Sequence, residues 1–377
     1  MNVDKLLRIG YDAKRAFYNQ RGLGNYSRDV IRILSEQANY NDYFLFTPRI
    51  KNAINIALRS NCHIIKPSGL FWTSFSSAWR TFGQCKEINE EKLDVFHGLS
   101  HELPFGIEKC NIRTVVTMHD VIFLKHPELY PFFDRYLFRK KYAAACTIAD
   151  TIVAISQQTK HDLIEYLNID EHRIEVVYQG CNPVFKRQMD EETRKKVRLK
   201  YDLPAQYMLI VGAIERRKNH ALILKAMHCK KPDLPLVIIG RPSAYKDELM
   251  QLILQYKLTQ DVIFRYPVDT VALPAIYQSA SLFLYPSLYE GFGIPILEAL
   301  VSSVPVITSK GSCFEETGGD AVCYVSPNDE EELANSIYLI TVNRTLSEQM
   351  IERGHLHATS FSDENIAKSL LTIYKNF

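Results

Sequence analysis

Ser281-Leu-Phe-Leu-Tyr-Pro-Ser-Leu-Tyr-Glu-Gly-Phe-Gly-Ile-Pro-Ile-Leu-Glu298 holds the chain's fold in miniature. Its opening apolar run, Leu282–Tyr285, suits a strand buried on both faces of a parallel sheet, and Ile296–Val301 suits a helix. Between them, Gly291 and Gly293 form a turn. Strand, glycine turn and helix together aim free backbone N–H groups at a phosphate. Pro295 fits the first helical turn, where its missing N–H costs nothing. Glu290 then stands in the loop at the helix mouth, and Glu298 about one turn in. Two carboxylates hold a bare anion poorly but accept hydrogen bonds from hydroxyls well. A nucleotide sugar offers hydroxyls at both ends of its diphosphate. The plainer alternative makes Glu290 a solvated loop charge and Glu298 a first-turn glutamate favoured by the helix dipole.

Outward from this stretch, apolar runs alternate with helical patterns, which predicts an α/β chain with parallel sheets. The first half offers strands at 6–12, 43–47, 63–66, 94–97, 114–118, 151–155 and 174–178, with helices at 26–36, 131–147 and 157–167. The charged stretch 186–200 interrupts the pattern. A second series follows at 207–212, 236–240, 262–264, 282–285, 304–308 and 321–325. The chain thus divides into two doubly wound domains, 1–183 and 184–362, with a hinge near Asn182-Pro183. Ligands in such sheets sit beyond the carboxyl ends of the strands, and the cleft between two facing domains is the expected site.

At 377 residues, two domains of about 190 residues are the natural expectation. A formal charge of +2 gives no footprint for nucleic acid. Eight cysteines are scattered singly, with no C-x-x-C pair, which argues for reduced thiols and a cytoplasmic setting rather than a zinc or disulfide framework. Met1-Asn-Val-Asp-Lys5 runs straight into a strand without the apolar stretch of a signal peptide, and no segment reaches the ~20 apolar residues of a membrane span.

Other chemistry-bearing residues fall at strand ends. After the strand at 207–212 comes Glu215-Arg-Arg-Lys-Asn219, whose cations could neutralise a diphosphate or simply be solvated. Gly22-Leu-Gly24 follows the first strand and opens the first helix, where small residues admit a ligand and equally make a turn. His119-Asp120 ends the strand at 114–118; the histidine suits hydrogen bonding to a polar substrate, a proton shuttle, or a structural role.

These pieces lie in the order of a known family. Glu290 to Glu298 resembles the E-x7-E motif of retaining glycosyltransferases, and Tyr285–Ala299 is similar to that of family 4. Ile9-Gly-Tyr-Asp-Ala13, Gly22-Leu-Gly-Asn-Tyr26, Val116-Thr-Met-His-Asp120, Val153-Ala-Ile-Ser156, Val211–Asn219 and Val304-Pro-Val-Ile-Thr-Ser309 extend the resemblance over nearly the whole chain. It implies a GT-B architecture: two Rossmann-like domains facing a central cleft, the first binding the acceptor and the second the donor. The last helix, within 363–377, would pack back on the first domain. By resemblance, Arg217 and Lys218 would hold the donor diphosphate and Glu298 the ribose. Glu290 and the backbone of Gly291, Phe292 and Gly293, with Ile294 beside them, would hold the sugar. His119 would reach that sugar from the opposite domain, Gly22 and Gly24 would lie near the phosphates, and Asp269 would fall near the nucleobase. Glu315 matches a recurrent acidic position. Ser303 stands where the family often has glycine, and Arg216 replaces a common proline.

The expected reaction moves a hexose, mannose preferred and glucose the other choice, from GDP-mannose or UDP-glucose. Its acceptor is a glycan or lipid-linked glycan of surface polysaccharide. A retaining glycosidase would place two carboxyls about 5 Å apart across the anomeric carbon. Glu298, at a helix start, suits ribose better, so the expected route has no enzyme nucleophile. No D-x-D motif is present, and neither a cofactor nor a metal is expected. The alternatives are a sugar-nucleotide epimerase and a non-catalytic sugar-binding protein. Two segments are rich in aromatics, 71–82 at near-helical spacing and 130–138 adjoining Arg135, Arg139, Lys140 and Lys141. Most of these rings are expected in the core, with peripheral membrane contact through the basic residues as the alternative.

Overall fold

The computed structural model describes residues 6–50 and 56–376, so the expectations for Met1–Lys5 and for the chain's last residue lie outside the described residues. Two compact units emerge, and each is described by itself. One takes the chain up to Gly180 and regains it from Asp363; the other spans Cys181–Ser362.

Among the described residues, the N-terminal unit is built on seven parallel strands: β1 (Arg8–Asp12), β2 (Asp42–Phe46), β3 (Cys62–Ile65), β4 (Val95–Gly98), β5 (Arg113–Met118), β6 (Thr151–Ala154) and β7 (Ile174–Val176). Their order is β3-β2-β1-β4-β5-β6-β7, with Ile9 opposite Tyr43 on one side of β1 and opposite Val95 on the other. Helices cover both faces, which is why the central strands read as continuous apolar runs rather than alternating ones. The helix Gly22–Gln37 buries Tyr26, Val30, Ile31, Ile33 and Leu34, a 3.6-residue stripe. The helix Asp363–Lys375 belongs to this unit: Asp363 accepts from Arg32 at 2.6 Å, and Tyr374 Oη lies 2.6 Å from His97 Nδ1.

The C-terminal unit carries β8 (Met208–Val211), β9 (Leu236–Ile239), β10 (Val262–Arg265), β11 (Leu282–Tyr285), β12 (Val306–Ser309) and β13 (Cys323–Val325), in the order β10-β9-β8-β11-β12-β13 and all parallel. The expectation of two Rossmann-like parallel-sheet domains stands. In each sheet the strand order reverses once, at β1/β4 and at β8/β11. At such a point neighbouring loops run to opposite sides and leave a crevice at the carboxyl edge.

Details differ where local geometry was not visible in composition. A short helix, Lys14–Tyr18, intervenes before Gly22, so the glycine pair forms the first turn of the second helix rather than opening the first. A β-carbon on Gly24 would fall 1.7 Å from the Asn19 carbonyl oxygen, so packing of these two helices alone demands glycine there; around Gly22 there is open space. Ser303, in the glycine-preferring position, has φ +61°, the left-handed conformation usual just past a helix end. Arg216 ion-pairs with Glu248 at 2.6 Å on the surface.

The expectation that most aromatics of 71–82 and 130–138 pack in the core is overturned. Trp79 is fully buried and Phe138 partly so, but Phe71, Phe75, Phe82, Phe132, Phe133 and Tyr136 are exposed. The first segment breaks into short helices, Leu70–Ser74 and Ser76–Phe82, and so cannot keep one face inward.

Candidate active site

Residues following β8 and β11, neighbours at the reversal of the C-terminal sheet, meet around one carboxylate. Arg216–Lys218 forms a single 3-10 turn after β8, and the carbonyl of Arg217 accepts from the N–H of Leu288 in the loop after β11 at 2.8 Å, which joins the two loops. Lys218 Nζ lies 2.5 Å from Glu290 Oε1, and Arg217 Nη1 lies 2.7 Å from Glu290 Oε2. Tyr285, the last residue of β11, donates to Glu290 Oε1 at 3.0 Å and itself accepts from Lys218. Arg217 further donates to the Tyr289 carbonyl and to Glu215 at 2.6 Å. Ser312 brackets the Glu290 backbone, accepting from its N–H at 3.2 Å and donating to its carbonyl at 3.1 Å.

The electrostatics follow from this enclosure. Burial raises the Glu290 pKa, but Lys218 and Arg217 overcome it and hold the carboxyl down to about 2. Burial lowers Lys218, and Glu290 restores part of the loss; Arg217 ends raised, because Glu290 and Glu215 outweigh its burial. Glu290 is therefore an ionised carboxylate with both oxygens engaged, Oε1 by Lys218 and Tyr285 and Oε2 by Arg217. The next turn of chain completes the site. Gly293 caps the helix Ile294–Val301 at φ +95°, where a β-carbon would be strained, and Pro295 occupies its first turn. Phe292 is buried against Phe361, and its carbonyl accepts from Thr317. Gly291 and Ile294 are half-buried at the helix mouth.

Glu298 shares none of these partners. It accepts from Tyr277 Oη at 2.9 Å, and burial raises its pKa from 4.5 to about 7, with the Tyr277 hydrogen bond acting the other way. A carboxyl whose folded pKa is raised gives stability that is full below the unfolded value, near 4.5, and is lost as pH rises through about 7. At about 1.4 kcal/mol per unit, the change is on the order of 3 kcal/mol. Glu298→Gln is expected to flatten the fall in urea midpoint between pH 5 and pH 8; an unchanged slope would show that another group titrates there.

Asp269 stands apart. It follows the cis Tyr266-Pro267 peptide, and its carboxylate is taken by Lys200 at 2.7 Å and Tyr201 at 2.9 Å on the exposed surface. Glu315 accepts from the Gly311 N–H at 2.8 Å.

In the N-terminal unit, His119 ends β5. Its Nε2 donates to the Leu99 carbonyl at 3.0 Å, which fixes the tautomer and leaves Nδ1 as an acceptor. Burial lowers its pKa to about 4, with the Leu99 bond opposing and Arg15 reinforcing, so the ring is neutral. Tyr26 meets it edge-on at 4.5 Å. Sequence reasoning missed His101, whose ring centroid lies 5.0 Å from that of His119 and which stacks on Tyr142 at 4.4 Å, with φ +64°. A non-glycine residue held left-handed carries strain, and strain collects at functional positions. Tyr285 and Tyr277 were also missed. Tyr285 had one signal, its place at the carboxyl end of a strand; Tyr277 had none.

Comparison with known proteins identifies the family. The family described as "Glycosyl transferases group 1" matches residues 190–357, and "Glycosyltransferase Family 4" matches residues 21–185. O-antigen chain mannosyltransferase B of Escherichia coli is 30% identical over 299 residues, spanning 78% of this chain and 77% of that one. O-antigen chain mannosyltransferase RfbU of Salmonella typhimurium is 29% identical over 224 residues, 59% of each. Among solved structures, Anabaena Alr3699/HepE in complex with UDP-glucose superposes with a TM-score of 0.74 at 15% identity, covering 98% of this chain and 100% of that one.

Proposed function

The chain belongs to glycosyltransferase family 4 and is a glycosyltransferase, and from that premise we propose that it transfers mannose, with retention of configuration, from GDP-mannose to a glycan or lipid-linked glycan acceptor in surface polysaccharide synthesis. The single observation that carries the mechanism is the Glu290 carboxylate locked between Lys218 and Arg217 beside a helix N-terminus.

In this reading the diphosphate of the donor lies against Arg217, Lys218 and the first N–H groups of the helix Ile294–Val301. Arg217 reaches it by exchanging its surface partner Glu215 for phosphate oxygens, a fork-to-fork replacement. As the sugar–phosphate bond lengthens, positive charge develops at the anomeric carbon and negative charge on the leaving diphosphate. The two cations and the helix end stabilise the latter more strongly in the transition state than in the ground state. The acceptor hydroxyl attacks from the face the diphosphate leaves and gives its proton to a phosphate oxygen. Glu290, with both oxygens held by Lys218, Tyr285 and Arg217, acts as a hydrogen-bond acceptor rather than a nucleophile: it accepts from a sugar hydroxyl and keeps both cations in place. Glu298 accepts from the ribose, and neutral His119 accepts a sugar hydroxyl at Nδ1. Gly291, Phe292, Gly293 and Ile294 supply the backbone of the sugar site.

Mannose is favoured over glucose by the names of the two relatives, both mannosyltransferases. The epimerase and the non-catalytic binding protein gain no support from the family. Incubating the protein with GDP-mannose and with UDP-glucose and following nucleotide release tests the reading. Slow release of GDP is expected; inversion at C2, or release of neither nucleotide, would remove it.

No described helix is long and apolar enough to cross a membrane. The proposed site of action is the cytoplasmic face of the membrane, in peripheral contact. Exposed Phe132, Phe133 and Tyr136 support this, interleaved with Arg135, Arg139, Lys140 and Lys141 on one helix. Flotation with vesicles containing phosphatidylglycerol should exceed that with phosphatidylcholine alone severalfold; equal flotation would count against membrane contact.

A further inference from the structure

A chain of buried polar groups runs through the N-terminal unit from its last helix to the ring that packs on His119. Tyr374, in the helix Asp363–Lys375, has Oη 2.6 Å from His97 Nδ1 on β4, and His97 Nε2 lies 2.7 Å from Thr117 Oγ1 on β5. The Thr117 hydroxyl lies 3.0 Å from Tyr26 Oη, and at the other end the Tyr374 hydroxyl lies 3.4 Å from that of Tyr11 on β1. All five residues are buried, so each link is kept from water. Burial, with His119 nearby, lowers the His97 pKa to about 3, and the ring is neutral. A neutral imidazole donates through one nitrogen and accepts through the other, so Tyr374 and Thr117 take opposite roles on it. A change at one is passed to the other through the tautomer.

Two rings pack on His119: Tyr26 edge-on, with centroids 4.5 Å apart and planes at 88°, and His101 tilted, at 5.0 Å. Thr117 ties both of them. Its hydroxyl meets Tyr26, and its carbonyl accepts from the His101 N–H at 3.0 Å. The bond from His119 Nε2 to the Leu99 carbonyl fixes one edge of the imidazole. Torsion about the bond to such a flat ring has broad minima, so the plane of the ring is left to its neighbours. A ring at position 26 without its hydroxyl would keep its volume and lose its fixed angle, and His119 Nδ1 would sweep a wider arc.

We propose that Tyr26 is a positioning residue for His119, and that the chain through Thr117 and His97 to Tyr374 makes the last helix part of that positioning. The inference deepens the transferase reading, and rests on it for the role of His119 as acceptor of a sugar hydroxyl. Positioning acts on the fraction of bound complexes in productive geometry, so its loss falls on kcat rather than on KM.

Tyr26→Phe, Thr117→Val and Tyr374→Phe each remove one hydroxyl and keep the shape of the side chain. Each is expected to lower kcat about tenfold, the worth of one buried hydrogen bond, with KM changed less than about twofold. Tyr43→Phe is the control. Tyr43 is as buried as Tyr374 and stacks on Tyr11, but its hydroxyl serves the Leu34 and Ala38 carbonyls, outside the chain, so kcat should stay within about twofold of wild type. The double variant Tyr26→Phe/Tyr374→Phe should lose little more than the worse single variant, because both act through one chain. A second readout needs no turnover: long-range proton–nitrogen correlation of the full-length protein labelled with ¹⁵N-histidine. His119 should show one Nε2–H tautomer in wild type and in Tyr43→Phe, and a broadened or doubled signal in the three chain variants. An unchanged His119 signal in Tyr26→Phe and Thr117→Val would overturn the proposal, as would multiplied losses in the double variant or an equal loss in Tyr43→Phe. Failure of the wild type to release nucleotide from any donor would sink the transferase reading, while the His119 spectra would still decide the positioning.

Discussion

Lys218→Ala is expected to lower the rate of sugar transfer by about 10²- to 10³-fold, the loss typical of removing one preorganised charge from a developing anion. Lys218 is buried after β8 with Nζ 2.5 Å from Glu290 and a second bond to Tyr285, so its position is set before the donor arrives. Its contribution grows as the leaving diphosphate gains charge, so the loss should fall on kcat, while Arg217 keeps the change in KM below about tenfold. Lys218→Arg should not restore the rate, because a planar fork cannot occupy the place of a compact ammonium between Tyr285 and Glu290. Initial rates of nucleotide release and of product formation check this. Turnover within threefold of wild type in the alanine variant would remove Lys218 from the chemistry.

Glu290→Gln is the second large effect, and it has two readouts. Transfer should fall about 100-fold, since a neutral amide accepts more weakly from a sugar hydroxyl and no longer fixes both cations. Stability should fall as well, by roughly 3–5 kcal/mol, because Lys218 and Arg217 are left buried without their carboxylate. The pH dependence gives the sign. Glu290 has its folded pKa depressed from 4.5 to about 2, so its stabilisation is present above about pH 4.5 and is lost as pH falls toward 2. The glutamine variant should lack that acid-limb dependence, whereas Glu290→Asp should keep most of it while still losing transfer through its shorter reach. Urea midpoints at pH 3.0 and 6.0 separate the cases; a variant as stable as wild type at pH 6.0 would show that the ion pairs contribute nothing net.

How much of this was readable beforehand depended on distance along the chain. The strands were legible because central parallel strands buried on both faces, such as β8, β9, β11 and β12, appear as apolar runs between helical stretches. That Arg217, Lys218 and Glu290 each follow a buried strand was legible, and the family resemblance put them in one donor site; that their two strands are neighbours was not. The lock itself was not, because the hydroxyl of Tyr285 gains meaning only when Lys218, 67 positions away in sequence, comes under it. The same holds for Tyr277 on Glu298 and for His97 between Thr117 and Tyr374, pairings with no periodic or compositional trace. The aromatics misled because their spacing fits a packed helix until the chain breaks at Phe75, and breaks of that kind have no proline or glycine signal here. His101 was hidden for a related reason: nothing in Leu99-Ser-His101-Glu announces a positive φ.

The central claim is that Lys218, Arg217 and Glu290 support departure of a nucleoside diphosphate without an enzyme nucleophile and with retention. Proton NMR of the mannose released or transferred from GDP-α-mannose, recorded before mutarotation, tests it most directly. The α-anomer is the predicted first product; β-mannose as the first product, or no release of GDP at all, would contradict the account.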